Sequence, residues 1–175
     1  MALRDNQRSR VYRAEEAVDW QALGADLPLE LAAARELVDR TTSSDWWRAR
    51  FPGAATRVPV RDGRGRRRAG AGPDFITLPR WSRRPWIVCH ELAHVAVVPL
   101  LPHIEPHGRE FCRAYLDLVG RQWGAEARQA LAAAFAAGGV RTGGRDLEAW
   151  EARRRRAGAR PGQRPAGILA WLRGR

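Results

Sequence analysis

Lysine is absent from this chain and cysteine is nearly so: all 31 basic residues are Arg, and Cys89 and Cys112 are the only cysteines. Two cysteines cannot frame a disulfide scaffold, and these two lack the paired spacing of a Cys-based zinc site. Both fall in apolar, helix-like surroundings, where a thiol behaves as a small buried hydrophobe. Long apolar runs are missing too. The most apolar stretch, residues 86–98, contains His90, Glu91 and His94 and is broken by Pro99 and Pro102, so it does not read as a membrane span. Residues 1–8 have no apolar core of the kind a secretory signal needs. The glycines of residues 64–72 do not make a phosphate-binding loop, because no G-x-x-x-x-G-K-[ST] is present. These absences exclude a disulfide-rich secreted module, a helical membrane protein and a P-loop enzyme. The expectation is a soluble, cytoplasmic protein.

What is present is one domain's worth of chain, 175 residues of which 45% are hydrophobic, with a formal charge of +12. Residues 1–140 have the mixed composition of a packed domain. Residues 141–175 hold ten Arg against Asp146, Glu148 and Glu151, including four consecutive arginines at 153–156. With a Gly- and Pro-rich stretch at 157–167, this reads as a flexible tail. The short apolar tag at 168–172 can dock back, touch a partner or simply be solvated. An Arg, Ala and Gly bias is also what GC-rich coding produces. The charge therefore permits an anionic partner such as nucleic acid without demonstrating one.

The stretch that carries chemistry is His90-Glu91-Leu92-Ala93-His94, an H-E-x-x-H pattern inside an otherwise apolar helix-length segment. Residues four apart share one face of a helix, so His90 and His94 can offer two imidazole nitrogens to one metal ion. Glu91 lies at the edge of that face, where a carboxylate can act on water without occupying a coordination position. The competing reading is an accidental match with both histidines hydrogen-bonded in a core. Against it stand the turn and proline signals on both sides and the confinement of all four histidines to residues 90–107. A catalytic zinc normally takes three protein ligands. His107 is the best third, after a connection long enough to turn back and beside Gly108, which permits close approach. His103 is the rival, and Glu105 or Glu110 would serve in a two-His, one-carboxylate site; Glu110 can instead orient a ligand. Val97 and Leu100 stand where a metzincin has Gly and His, which excludes that class.

Around this segment the chain reads as α+β, a zincin-like single domain that is mostly helical. Helical spacing is found at residues 5–20, 29–40 and 46–51, and after His107 two helices are expected, to about Trp123 and from 125 to 137. Residues 57–61 alternate and residues 75–78 are β-prone, so a two- or three-stranded antiparallel sheet should precede the H-E-x-x-H helix, with residues 64–72 a loop or a ragged middle strand. Residues 75–78 would then be an edge able to hold an extended peptide beside the metal. Trp46, Trp47 and Trp86 can line a cleft, although aromatic residues at such spacings more commonly pack in a core.

Two resemblances join these residues. His90-Glu91-Leu92-Ala93-His94, a loop, then His107-Gly108-Arg109-Glu110-Phe111 resembles the SprT-like zinc metalloproteases, in which a histidine of an H-G-x-x-F segment completes the site. More closely, Arg4-Asp5-Asn6-Gln7-Arg8 with Val11-Tyr12 and Ala14-Glu15, then Trp46-Trp47 and Phe51-Pro52, resembles a family of small actinobacterial metallohydrolases over about residues 4–140. The resemblance implies one zinc at His90, His94 and His107 with Glu91 as catalytic acid/base, and implies no particular substrate. The chemistry expected is metal-assisted hydrolysis of a peptide or other amide bond, with Glu91 as general base and Tyr115, Arg84 or Arg109 as alternatives for stabilising the oxyanion. The competing class is a non-catalytic module in which zinc, closed by a fourth ligand such as His103, staples the helices while the Arg-rich loop and tail bind nucleic acid.

Overall fold

A computed structural model describes residues 3–101 and 103–143. The expected tail, with its four consecutive arginines and its apolar tag, lies outside the described residues from 144 onward. The order is α1 (Arg8–Glu16), α2 (Leu31–Thr42), α3 (Asp45–Arg50), β1 (Val60–Asp62), β2 (Gly70–Ala71), β3 (Ile76–Leu78), α4 (Pro85–Val97) and α5 (Arg109–Ala137), with 3-10 turns at Arg80–Ser82 and Val98–Leu100 on either side of α4. The architecture is α+β, as the sequence indicates. No helix among the described residues is long and apolar enough to cross a membrane.

Local chemistry accounts for the helix limits. In α2 the apolar stripe of Ala34, Leu37 and Val38 is buried. Ser44 both closes that helix and opens the next: its hydroxyl donates to the Thr41 carbonyl at 2.7 Å and accepts the Trp47 N–H at 3.1 Å. Ser44→Ala is expected to cost about 1 kcal/mol, seen as a lower midpoint in urea, with metal content unchanged. Pro85 occupies the first position of α4, where its missing N–H leaves no hydrogen bond unmade, and Pro99 follows the helix end. The two helices expected after His107 join end to end as α5, bent at Gly124, whose φ of 85° belongs to the left-handed region that favours glycine.

The sheet differs from expectation. Its order is β1-β3-β2, with β1 and β3 parallel and β2 and β3 antiparallel, so it is mixed. Residues 64–72 supply an edge strand in β2, not a middle one. The reason lies in the side chains. Ile76, Thr77 and Leu78 are all buried, so β3 takes the centre, while half-exposed β1 and the Gly-Ala of β2 flank it. Both edges of β3 are thereby paired, and residues 75–78 cannot hold an extended peptide.

From Ile87 to Val97 every residue of α4 is buried, which is what an almost wholly apolar helix requires. It packs on α5, α2 and β2, and α1 lies on α5. The core runs through Val38, Trp47, Ile76, Leu92, Tyr115 and Phe135. Trp47 is fully buried against Phe51, and Trp86 stacks on Trp20 with ring centroids 5.6 Å apart, so both serve packing. Trp46 is half-buried edge-on to Phe51.

Candidate metal centre

The i, i+4 spacing on α4 places His90 and His94 side by side, ring centroids 5.0 Å apart. His107 arrives from the loop before α5, at 5.4 Å from His90 and 4.7 Å from His94. One potential ligand atom from each of the three lies within 4.8 Å of the others, and the residues are 5%, 2% and 1% exposed. Gly108 makes the approach possible. A Cβ there would sit 3.0 Å from the Glu105 carbonyl oxygen and 3.2 Å from Glu110 Oε2. Phe111, one helical turn on, lies beneath all three imidazoles at 4.4–4.9 Å.

Two of the rings are oriented by carboxylates from the N-terminal segment. Glu15 Oε1 meets His90 Nδ1 at 2.5 Å, and Asp5 Oδ2 meets His107 Nδ1 at 2.7 Å. A carboxylate on Nδ1 keeps the proton there, so the lone pair that remains for a metal is on Nε2, and it makes the ring a stronger donor. Burial raises the Glu15 carboxyl above its ordinary range, while the charge and hydrogen bond of His90 pull it down. The same segment grips the third ligand through its backbone. Gln7 Nε2 donates to the His107 carbonyl at 2.8 Å, and Asn6 Nδ2 donates to Glu105 at 3.0 Å. Tyr12, half-buried, lies against two of the rings, its centroid 5.6 Å from His90 and 5.2 Å from His107.

Residues 5–20 read in the sequence as one packing stripe that includes Tyr12, and Asp5 and Glu15 enter there only through the resemblance. The signal available was Glu15 itself, a carboxylate on the same buried stripe as Val11 and Ala14.

The other sequence candidates separate clearly. Glu91 is buried on α4 immediately after His90 and is 4% exposed. His103 is exposed and stands outside the histidine group. Glu105 is taken by Asn6 and by Arg141 at 3.3 Å. Glu110 is buried near Gly108, outside the donor group. Tyr115 donates its hydroxyl to the Trp86 carbonyl at 3.3 Å, and burial, more than the nearby Glu15 charge, pushes that hydroxyl well above its ordinary range. Arg84 is bound to Asp26 at 2.6 Å, and Arg109 begins α5. Burial likewise pushes both thiols up, so Cys89 and Cys112 remain protonated hydrophobes, as their setting in the sequence indicates.

Comparisons with models of known families, with characterised proteins and with solved structures find no match to the chain. The centre is therefore judged on its donor set. Three buried imidazoles, two oriented by carboxylates, fit a divalent transition-metal ion; imidazole suits Zn, Cu, Fe and Ni, whereas Mg and Ca call for oxygen donors.

Proposed function

We propose that this protein is a zinc-dependent hydrolase, specifically a metallopeptidase. His90, His94 and His107 hold one zinc ion and Glu91 is the general base. The observation that carries the reading is the convergence of three buried imidazoles, with Glu91 directly after the first of them on the same buried helix. The resemblance of the H-E-x-x-H and H-G-x-x-F segments to those of SprT-like metalloproteases, and of residues 4–140 to small actinobacterial metallohydrolases, is in keeping with this proposal.

Zinc in such a site supplies Lewis acidity, lowering the pKa of water towards about 7 and polarising the carbonyl under attack. The chain's own residues do the rest. Glu91 takes the proton from the attacking water and returns it to the departing amine. Glu15 and Asp5 hold His90 and His107 in the metal-binding tautomer, and their negative charge offsets that of a dication buried among neutral imidazoles. Phe111 packs against all three rings and Tyr12 against His90 and His107, which supports their arrangement. Tyr115 is committed to the Trp86 carbonyl and Arg84 to Asp26, so neither is assigned to the oxyanion.

A purely structural zinc is normally closed by a fourth protein ligand. The donor suited to that role, His103, is exposed and outside the group, which favours hydrolysis over stapling.

The test is elemental analysis of the purified chain followed by incubation with a peptide library, with and without a chelator. One zinc per chain and cleavage that is lost on chelation and restored by zinc are expected. A zinc-loaded chain that cleaves nothing in the library would refute the peptidase assignment. Glu15→Gln and Asp5→Asn keep the shape and remove the charge; each is expected to weaken zinc binding about 10–100-fold in competition with a chromogenic chelator.

A further inference from the structure

The Arg-rich connection between β1 and α4 folds into a feature that the metal centre does not use. Residues 57–84 contain nine arginines against Asp62 and Asp74. The loop after β1 closes onto the turn before α4, leaving a groove of about 600 Å³ lined by Arg64, Arg66, Arg80, Trp81, Arg83 and Arg84.

The groove is built, not merely left open. Gly63 N–H donates to the Leu78 carbonyl at 3.1 Å, and a Cβ at Gly63 would stand 2.5 Å from the Pro79 nitrogen, so only glycine lets the loop seat there. Arg83 is fixed by Asp62 at 2.8 Å and Arg84 by Asp26 at 2.6 Å, which makes them walls. Arg66 and Arg80 are exposed at the rim, and Arg64, 91% exposed, reaches Asp62 only at 3.7 Å. Glu30 and Asp62 line an adjoining hollow together with Arg64, Arg80 and Arg83, and Arg66 and Trp81 belong to the groove alone.

Trp81 gives this surface its chemistry. Of the large exposed hydrophobics among the described residues, Leu3, Leu27 and Trp81, it alone is aromatic, and it is 56% exposed. The Phe75 ring, outside the groove lining, lies under the Arg61 guanidinium at 3.5 Å, so the exposed indole is the groove's stacking platform. A flat aromatic between guanidinium groups matches alternating bases and phosphates. A duplex hides its base faces in the stack and has nothing to offer the indole, and an acidic peptide would use the arginines alone.

We infer that this groove binds single-stranded nucleic acid, a base stacking on Trp81 with its flanking phosphates on Arg64, Arg66 and Arg80. This site is separate from the metal centre and stands whether or not the chain is a hydrolase. His90 lies five residues into the same helix whose start adjoins the groove, about 7–8 Å along the axis.

The test is fluorescence anisotropy on the purified full chain, with labelled oligonucleotides of about 12 units as single-stranded DNA, single-stranded RNA and DNA duplex, and with phosphatidylserine vesicles as competitor. Single strands should bind more tightly than duplex. Trp81→Ala should weaken them about 5-fold or more while Trp81→Phe retains most of the affinity. Arg66→Gln with Arg80→Gln should weaken binding further and flatten its salt dependence. Residues 144–175 are the same in every variant, so these differences report on the groove. All three variants change exposed side chains, and their melting curves should match wild type. A preference for DNA or for RNA would name the natural strand, and either supports the inference. It is overturned if Trp81→Ala binds as wild type does, if duplex binds as tightly as single strands, if vesicles displace the oligonucleotide in a Trp81-dependent way, or if no single strand binds up to about 100 µM.

Discussion

Glu91→Gln should keep its zinc and lose hydrolysis by about 10²–10⁴-fold, the usual contribution of a positioned general base. The substitution preserves volume at a site that is 4% exposed, so it opens no cavity. Glu91 is outside the group of three donors, so metal content should match wild type. What the amide cannot do is accept a proton from water at neutral pH. A loss of rate at unchanged zinc content therefore isolates proton transfer from metal binding, which substitution of any histidine would not. Glu91→Asp refines the test: the carboxylate is retained but withdrawn by one methylene, and an intermediate rate is expected. If Glu91→Gln cleaves as fast as wild type while holding zinc, the base is another group.

The metal centre was legible on one side only. His90, Glu91 and His94 sit within five residues of one helix, and short-range periodicity alone puts both imidazoles on one face. His107 could be proposed because histidines are few and because Gly108 and a loop of sufficient length accompany it. The N-terminal side of the site could not be read from spacing. Asp5 and Glu15 reach His107 and His90 across 102 and 75 residues of chain, and no local rule connects them. A buried carboxylate in a helix stripe was the only local trace.

The sheet was misread for a related reason. Strand-forming tendency in residues 57–61 and 75–78 placed β1 and β3 to within a few residues. Pairing, however, depends on which strand can be covered on both faces, and that is decided by helices far away in sequence. The order β1-β3-β2 removed an edge that sequence order alone had suggested for substrate. The helices fared better: α2, α3, α4 and the Gly124 bend of α5 are marked by caps, prolines and glycine, signals that act within a turn or two.

If the three imidazoles hold zinc as proposed, His107→Ala should abolish the thermal stabilisation that added zinc gives the wild-type chain. An ion that binds the folded chain and not the unfolded one stabilises by about 4.1 kcal/mol at a thousand times its dissociation constant. For a chain of this size that corresponds to a rise in Tm of about 8–16 °C, at about 2–4 °C per kcal/mol. Two imidazoles on α4 alone form a weak and incomplete site; His103 is exposed, and the carboxyls of Asp5 and Glu15 serve the Nδ1 side of the rings. Comparing each variant with and without zinc removes the packing cost of the substitution itself, which lowers the Tm of both forms. His90→Ala and His94→Ala should behave alike, and His103→Ala should respond to zinc as wild type does. Retention of the zinc-induced shift in His107→Ala, or its loss in His103→Ala, would reassign the third ligand. Loss in both would mean that the ion is held by four histidines, and the site would then be structural, not hydrolytic.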